Sequence, residues 1–400
     1  MKAARHILTA VATVAFGAAG WWSARMAWAD YEARQETVSG TERAIAVMPG
    51  NGEYYARLAA LTADRDPKRA DWSRRQTVER NPFDARTWIE LGLGAETAGD
   101  GATAERYLLR AAAVDRQFVP RWTLANFYFR QNDTERFWHW AKEAAQMASG
   151  DCSPLFRLCA RVAEDGRLIE RLDIRAPGMR SEYLGYLLGE NKAALAGDAA
   201  RRVAESGDSD LPLVVEACGR MIEAHHGMEA AEIWNGLAQA RRIPLGEAKA
   251  GQVINGDFAV DPQDRGFDWR LPHSDGISAA REEGPAGLRL TFSGREAEEA
   301  ETLAQFVPVA GGSRYRMRFR YQTTGIGAGT GLGWRVRDLD GAVLATGGDL
   351  SSDGETASEV QFQPLAGTTM VRISLVYRRP QGKTRIEGSI VLRDVKLSSD

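Results

Sequence analysis

Arginine alternates with large apolar residues through SRYRMRFRYQTT, residues 313–324, and the residue types and spacing of this stretch suit it to ligand binding. Successive side chains of a strand point to opposite faces, so Arg314, Arg316, Arg318 and Arg320 share one face and Tyr315, Met317, Phe319 and Tyr321 the other. Arg335 and Arg337 flank Val336, and Arg372 stands beside Ile373, in two further stretches of the same kind. A guanidinium fork pairs bidentately with carboxylate or phosphate. If these strands are neighbours in one sheet, they form a basic outer surface fit for an acidic or phosphorylated glycan. The competing expectation is that arginine only keeps the outer face soluble and pairs with nearby Glu and Asp. Trp269, Trp334 and Tyr377 are the candidates for an exposed aromatic platform beside a sugar, with burial in the core as the alternative for each.

Other chemistry is not written in the chain. The five histidines, His6, His139, His225, His226 and His273, show no metal-ligand spacing, and the neighbours His225 and His226 point to different helix faces. GIGAGTGLG, residues 325–333, has glycine at alternate positions and is followed by a strand pattern, so it reads as a loop and not a nucleotide cradle. DLDG, 338–341, reads as a hairpin turn. Cys152, Cys159 and Cys218 are too few for a disulfide framework and read as small apolar fillers. A net charge of −3 and the lack of a basic stripe argue against nucleic acid as a partner. No acid, base or nucleophile constellation stands out, so no enzyme activity is expected.

The strands that carry the arginines belong to a region, 252–400, where apolar and polar residues alternate between Gly and Asp/Asn turns. Strands are expected at 287–293, 313–324, 332–338, 358–364, 370–378 and 387–397, and about eight in total would make an all-β jelly-roll sandwich. Upstream, residues 30–250 are helical in pattern and repetitive. Tyr54, Trp88 and Trp122 are spaced by 34 residues, and units at 51–84, 85–118 and 119–152, with a degenerate one at 212–245, place small residues where paired helices must approach closely. The first 29 residues put Lys2 and Arg5 before an uncharged run from Ile7 to Ser23, with Trp21, Trp22 and Trp28 beyond it. This predicts a single-pass inner-membrane anchor with the body in the periplasm. The small-x-small sequence Ala27–Ala29 leaves the alternative of a signal peptide, with export after cleavage.

Two family resemblances attach to these residues. Trp88, Leu91 and Gly92, then Ala104, Leu108 and Ala111, resemble the tetratricopeptide repeat. That implies an α-helical solenoid whose first helices hold a protein partner through positions such as Arg86, Phe127, Arg130 and Gln131. VINGDFAVDPQDRGFDWRL at the start of the last region and IVLRDVKLS at its end resemble the terminal strands of carbohydrate-binding modules and galactose-binding-like sandwiches. Some of these hold a structural calcium, for which Asp257 and Asp394 match the acidic positions; Ala259 and Arg393 depart from the pattern, and calcium wants about six to eight oxygen ligands. No other cofactor is implied. The whole arrangement is similar to envelope tetratricopeptide proteins associated with exopolysaccharide or O-antigen machinery. That implies a non-catalytic adaptor whose repeats bind an envelope protein and whose sandwich contacts glycan, in exopolysaccharide assembly or export. The alternatives are an assembly scaffold without sugar affinity and a subunit of a glycan-processing enzyme.

Overall fold

The structure is a computed structural model that describes residues 2–148, 150–163, 167–207 and 210–399. It is a helical region followed by an antiparallel β-sandwich. The helices are α1 (Lys2–Ala33), α2 (Val38–Val47), α3 (Gly52–Thr62), α4 (Pro67–Arg80), α5 (Ala85–Thr97), α6 (Gly101–Val114), α7 (Phe118–Arg130), α8 (Thr134–Met147), α9 (Ser153–Val162), α10 (Leu168–Arg171), α11 (Pro177–Gly189), α12 (Ala196–Ala204), α13 (Leu211–Glu223) and α14 (Gly227–Gln239). The strands are β1 (Ile277–Glu283), β2 (Ala286–Ser293), β3 (Glu299–Pro308), β4 (Tyr315–Thr324), β5 (Leu332–Asp338), β6 (Val343–Thr346), β7 (Thr356–Phe362), β8 (Met370–Arg378) and β9 (Glu387–Ser399). Two compact units result: residues up to 163 with 170–174, and 164–169 with 175–400.

In the first unit the helices α3 to α8 form three hairpins, their first helices beginning at Gly52, Ala85 and Phe118 and their second at Pro67, Gly101 and Thr134. Local chemistry starts each second helix in the same way: Asp66, Asp100 and Asp133 cap it by accepting from the backbone N–H three residues on. At the ends of the first helices Gly99 and Asn132 take the left-handed conformation that reverses the chain. Small residues then set the packing. Ala104, Ala111, Ala125, Ala141 and Ala144 are fully buried, and Leu108 fills the space against Gly92.

The expected membrane anchor is corrected by α1. No helix among the described residues is long and apolar enough to cross a membrane, so the single-pass inner-membrane placement, and the periplasmic location inferred from it, lack their support. The run from Ile7 to Ser23 is diluted by Ala, Gly and Thr, and beyond Arg25 the helix packs along one side, through Ala29, Glu32 and Ala33. Ala29 and Ala33 are buried with Ala44 and Tyr54, Arg25 donates to the Val47 carbonyl, and Tyr54 donates to Asp30. Ala27–Ala29 lie inside this helix. The Lys2 and Arg5 side chains lie outside those described.

The second unit joins the helices from α11 onward to the sandwich. The helical pattern stops at Gln239 and the first strand begins at Ile277, on either side of the change of period near 250. Yet α13 and α14 pack on the sandwich: Gly219 abuts the Arg270 guanidinium, Gly227 abuts Met370, and the Trp234 and Phe267 rings lie 5.7 Å apart. The sheets run β1-β2-β9-β4-β7 and β3-β8-β5-β6. Their inner faces share one core that includes Leu290, Phe292, Met317, Phe319, Trp334, Ile373 and Leu392. The segment INGDF, 254–258, clasps both sheets. Gln305, buried in β3, accepts from Ile254 N–H and donates to its carbonyl, while Val395 of β9 donates to the Gly256 carbonyl at 2.8 Å.

Asp268 is buried in this opening segment, where it accepts from Gln263 N–H at 2.6 Å. Burial pushes its carboxyl up to about 6, against the pull of those hydrogen bonds. A raised native value means that the folded chain holds a proton the unfolded chain has released between about pH 4 and 6, so this group weakens the fold as pH rises through that window. Relative to wild type, Asp268→Asn is therefore expected to gain about 2–3 kcal/mol between pH 4 and pH 7. Urea unfolding of both proteins at each pH measures the gain, and a pH-independent difference would show that Asp268 is ionised throughout.

Candidate functional site

The arginine rows do not join. β4, which presents Arg316, Arg318 and Arg320, lies in the five-stranded sheet between β9 and β7, whereas β5 and β8, which carry Arg335, Arg337 and Arg372, lie in the other sheet. The expected single basic surface is thus two surfaces on opposite sides of the sandwich. On the five-stranded side the charges are zipped. Arg289 and Arg393 pair with Glu282, Arg393 and Arg320 with Glu355, Arg320 with Asp394, and Arg316 and Arg318 with Glu359. Arg314 precedes β4 and is exposed. Carboxylates that already accept from a guanidinium leave less of it for a ligand.

The four-stranded side differs. A groove of about 510 Å³ opens on its outer face, lined by Glu299, Gly333, Arg335, Thr346, Val376 and Arg378 among others, and a second hollow of about 650 Å³ shares Gly331 and Arg378 with it. The antiparallel register sets Glu299 opposite Arg378 and Gly333 opposite Val376. Arg335 donates to Glu299 Oε1 at 2.9 Å, and Arg378 Nε lies 4.0 Å from Glu299 Oε2. The Arg335 hydrogen bond, with the charges of Arg335, Arg378 and Arg337, holds the Glu299 carboxyl below the usual carboxylate range. Asp349 is turned to the backbone, accepting from Gly329 and Gly331 N–H. Further along the face Glu301 accepts from Arg372 and from Ser374 Oγ. Arg337 stands opposite Arg372 in register, and its buried Nε has no hydrogen-bond partner. The groove sets the guanidinium groups of Arg335 and Arg378 and the carboxylates of Glu299 and Asp349 over a floor that includes glycine, valine and threonine.

The aromatic platform is corrected. Trp269, Trp334 and Tyr377 are fully buried, Trp334 standing 5.5 Å from the Phe319 ring and 6.2 Å from Trp269. Trp334 and Tyr377 stand at inward positions of their strands and Trp269 turns inward from the segment before β1, where large rings fill the space between the sheets. The calcium positions do not fit a metal either. Asp257 and Asp394 flank the Gly256–Val395 hydrogen bond, but Asp394 is engaged by Arg320 and Lys396, and among the described residues no group of three or more His, Cys, Asp or Glu side chains could hold an ion.

On the helical unit the four proposed partner contacts separate. Phe127 is buried, so it packs between helices and cannot line a groove. Arg86 is exposed and bonded to Glu90, which Arg74 also holds. Arg130 donates through Nε and Nη2 to Glu96, 2.7 Å each, linking α7 to α5. Gln131 is exposed at the end of α7, and Leu93 adds an exposed apolar side chain on α5. The three cysteines are free and buried, with the Cys159 and Cys218 thiols pushed up to about 12 by burial. Those two thiols therefore stay protonated at neutral pH.

The class defined by this fold is a region of helical hairpins followed by a C-terminal antiparallel β-sandwich. No protein-family model matches the chain, and no curated protein does. Solved structures that align with parts of it include a CBM4 carbohydrate-binding module, at 11% identity and a TM-score of 0.29, over 37% of this chain and 99% of that one. An exo-β-agarase aligns at 14% identity and a TM-score of 0.29, over 38% of this chain and 25% of the agarase chain, so the shared part is a quarter of that enzyme. Pseudomonas aeruginosa PilF aligns at 14% identity and a TM-score of 0.30, over 55% of this chain and 93% of its own.

Proposed function

We propose that this protein is a non-catalytic adaptor: the helical hairpins hold a protein partner, and the groove on the four-stranded sheet holds an acidic glycan, in exopolysaccharide assembly or export. The groove carries this reading, because Arg335 and Arg378 both line one hollow, with Glu299 and Asp349 as the carboxylates beside them and a floor that is otherwise small or apolar. The INGDF clasp, which resembles the opening of carbohydrate-binding modules, supports it. A guanidinium pair of this kind recognises carboxylate by bidentate hydrogen bonds. The groove has no aromatic lining residue, which argues against a neutral sugar held by stacking.

The test is affinity electrophoresis of the full chain through gels containing polygalacturonate or neutral dextran. Retardation by polygalacturonate is expected to fall about tenfold or more in an Arg335→Ala/Arg378→Ala variant, the cost of two charged hydrogen-bonding groups. The same loss is not expected from Arg316→Ala/Arg318→Ala, whose arginines lie on the opposite face bound to Glu359. A scaffold without sugar affinity is favoured by the extent of ion pairing on that opposite face, and it predicts no retardation in any gel.

A further inference from the structure

Glu299 occupies the place in the groove that a ligand carboxylate would take. It is the first residue of β3, about half exposed, and its two oxygens address two arginines from different strands, Arg335 of β5 and Arg378 of β8. Its backbone is fixed by pairing with Arg378, but its side chain stands at the strand end beside the exposed Glu298, free to swing toward water. Asp349, the other carboxylate of the lining, is committed to two backbone N–H groups and cannot leave without orphaning them. The Arg335 side chain is mostly buried, so its hydrogen-bonding edge is directed at Glu299 and at whatever replaces it.

We infer that Glu299 is an internal competitor that keeps Arg335 and Arg378 paired until a carboxylate of an acidic polysaccharide displaces it, and that it thereby sets the affinity and charge preference of the groove. The inference rests on the proposed glycan reading and adds a residue that acts against binding. The physics is an exchange of one carboxylate for another at a half-exposed ion pair. The incoming carboxylate restores the contact that Glu299 gives up, so displacement is cheap, and a neutral sugar, which cannot replace the lost charge, is disfavoured. The hollow that adjoins the groove repeats the arrangement, with Arg379 paired to Glu298, which extends the same chemistry along a polymer.

The experiment measures binding of soluble polygalacturonate and neutral dextran to full-length wild type, Glu299→Gln and Glu359→Gln. Glutamine keeps the size and a hydrogen-bonding oxygen but not the charge. Glu299→Gln is expected to bind polygalacturonate about three- to tenfold more tightly, with the gain removed by adding Arg335→Gln and with dextran binding unchanged. Glu359→Gln makes the same change in net charge on the opposite face, next to Arg316 and Arg318, and is expected to leave affinity as it was. Unchanged or weaker binding by Glu299→Gln, where wild type binds, overturns the competitor role and leaves the glycan reading standing. Equal gains in both variants also overturn it, since general electrostatics would then suffice. If no variant binds either polymer, the glycan reading itself fails.

Discussion

Replacing Trp334 with alanine is expected to cost the sandwich about 3–5 kcal/mol, the usual range for deleting a fully buried aromatic side chain. The indole touches both Phe319 and Trp269, so its removal opens a cavity at the centre of the core and not at an edge. Trp334→Phe is expected to cost far less, because a ring is retained and because the indole N–H, which is buried without a hydrogen-bond partner, disappears with its desolvation penalty. Urea unfolding followed by circular dichroism measures both, and limited proteolysis locates the loss to the residues after 175. The pair of variants decides between core and platform. A sugar platform at this position would lose binding with stability intact, whereas a core position loses stability in the order Ala much more than Phe.

Strands were legible where one face is wet, or where a run of β-formers stands between turn residues. β4 and β5 alternate between buried and outward positions, while β8, buried through most of its length, was read from its Val, Ile, Leu and Tyr content, and the limits of all three could be read within a few residues. β3 is buried almost throughout, since the core lies on one side, the INGDF clasp and α14 press on it, and a bulge between Glu301 and Leu303 breaks its phase. A strand covered on both faces shows no period of two. β1, half exposed and charged, and the four-residue β6 gave too weak a signal.

That gap explains most of what was missed at the site. Alternation fixed the side of the strand on which each arginine stands, but the pairing of strands decides the sheet, and pairing is a tertiary fact. β4 and β5 follow one another in the chain yet enter different sheets. Glu299 and Glu301, the acceptors of Arg335 and Arg372, lie in the unread β3. For the helices, Gly92 and the alanines were legible because close approach admits few residue types, while Phe127 was misplaced because helices within a stack are covered on more than one side.

Gly92 gives the second large effect. A Cβ added there would lie 2.6 Å from Leu108 Cδ2 and 2.7 Å from Leu108 Cγ, both inside a fully buried contact between α5 and α6. Helix propensity alone favours any such replacement by up to about 1 kcal/mol. The clash opposes it, and overpacking a dense core typically costs about 1–3 kcal/mol, more when the neighbour has no free rotamer. Valine adds two further carbons and little propensity, so Gly92→Val is expected to destabilise the hairpin unit by about 2–3 kcal/mol net. Leu108→Ala alone is expected to cost about 2–5 kcal/mol by leaving a cavity. Combined, the two changes should cost less than their sum by about 1 kcal/mol or more, because the valine then occupies space the leucine has vacated. A double-mutant cycle by urea denaturation reads this coupling directly. Strict additivity would mean that Gly92 and Leu108 do not share the contact on which close packing of the α5–α6 hairpin depends.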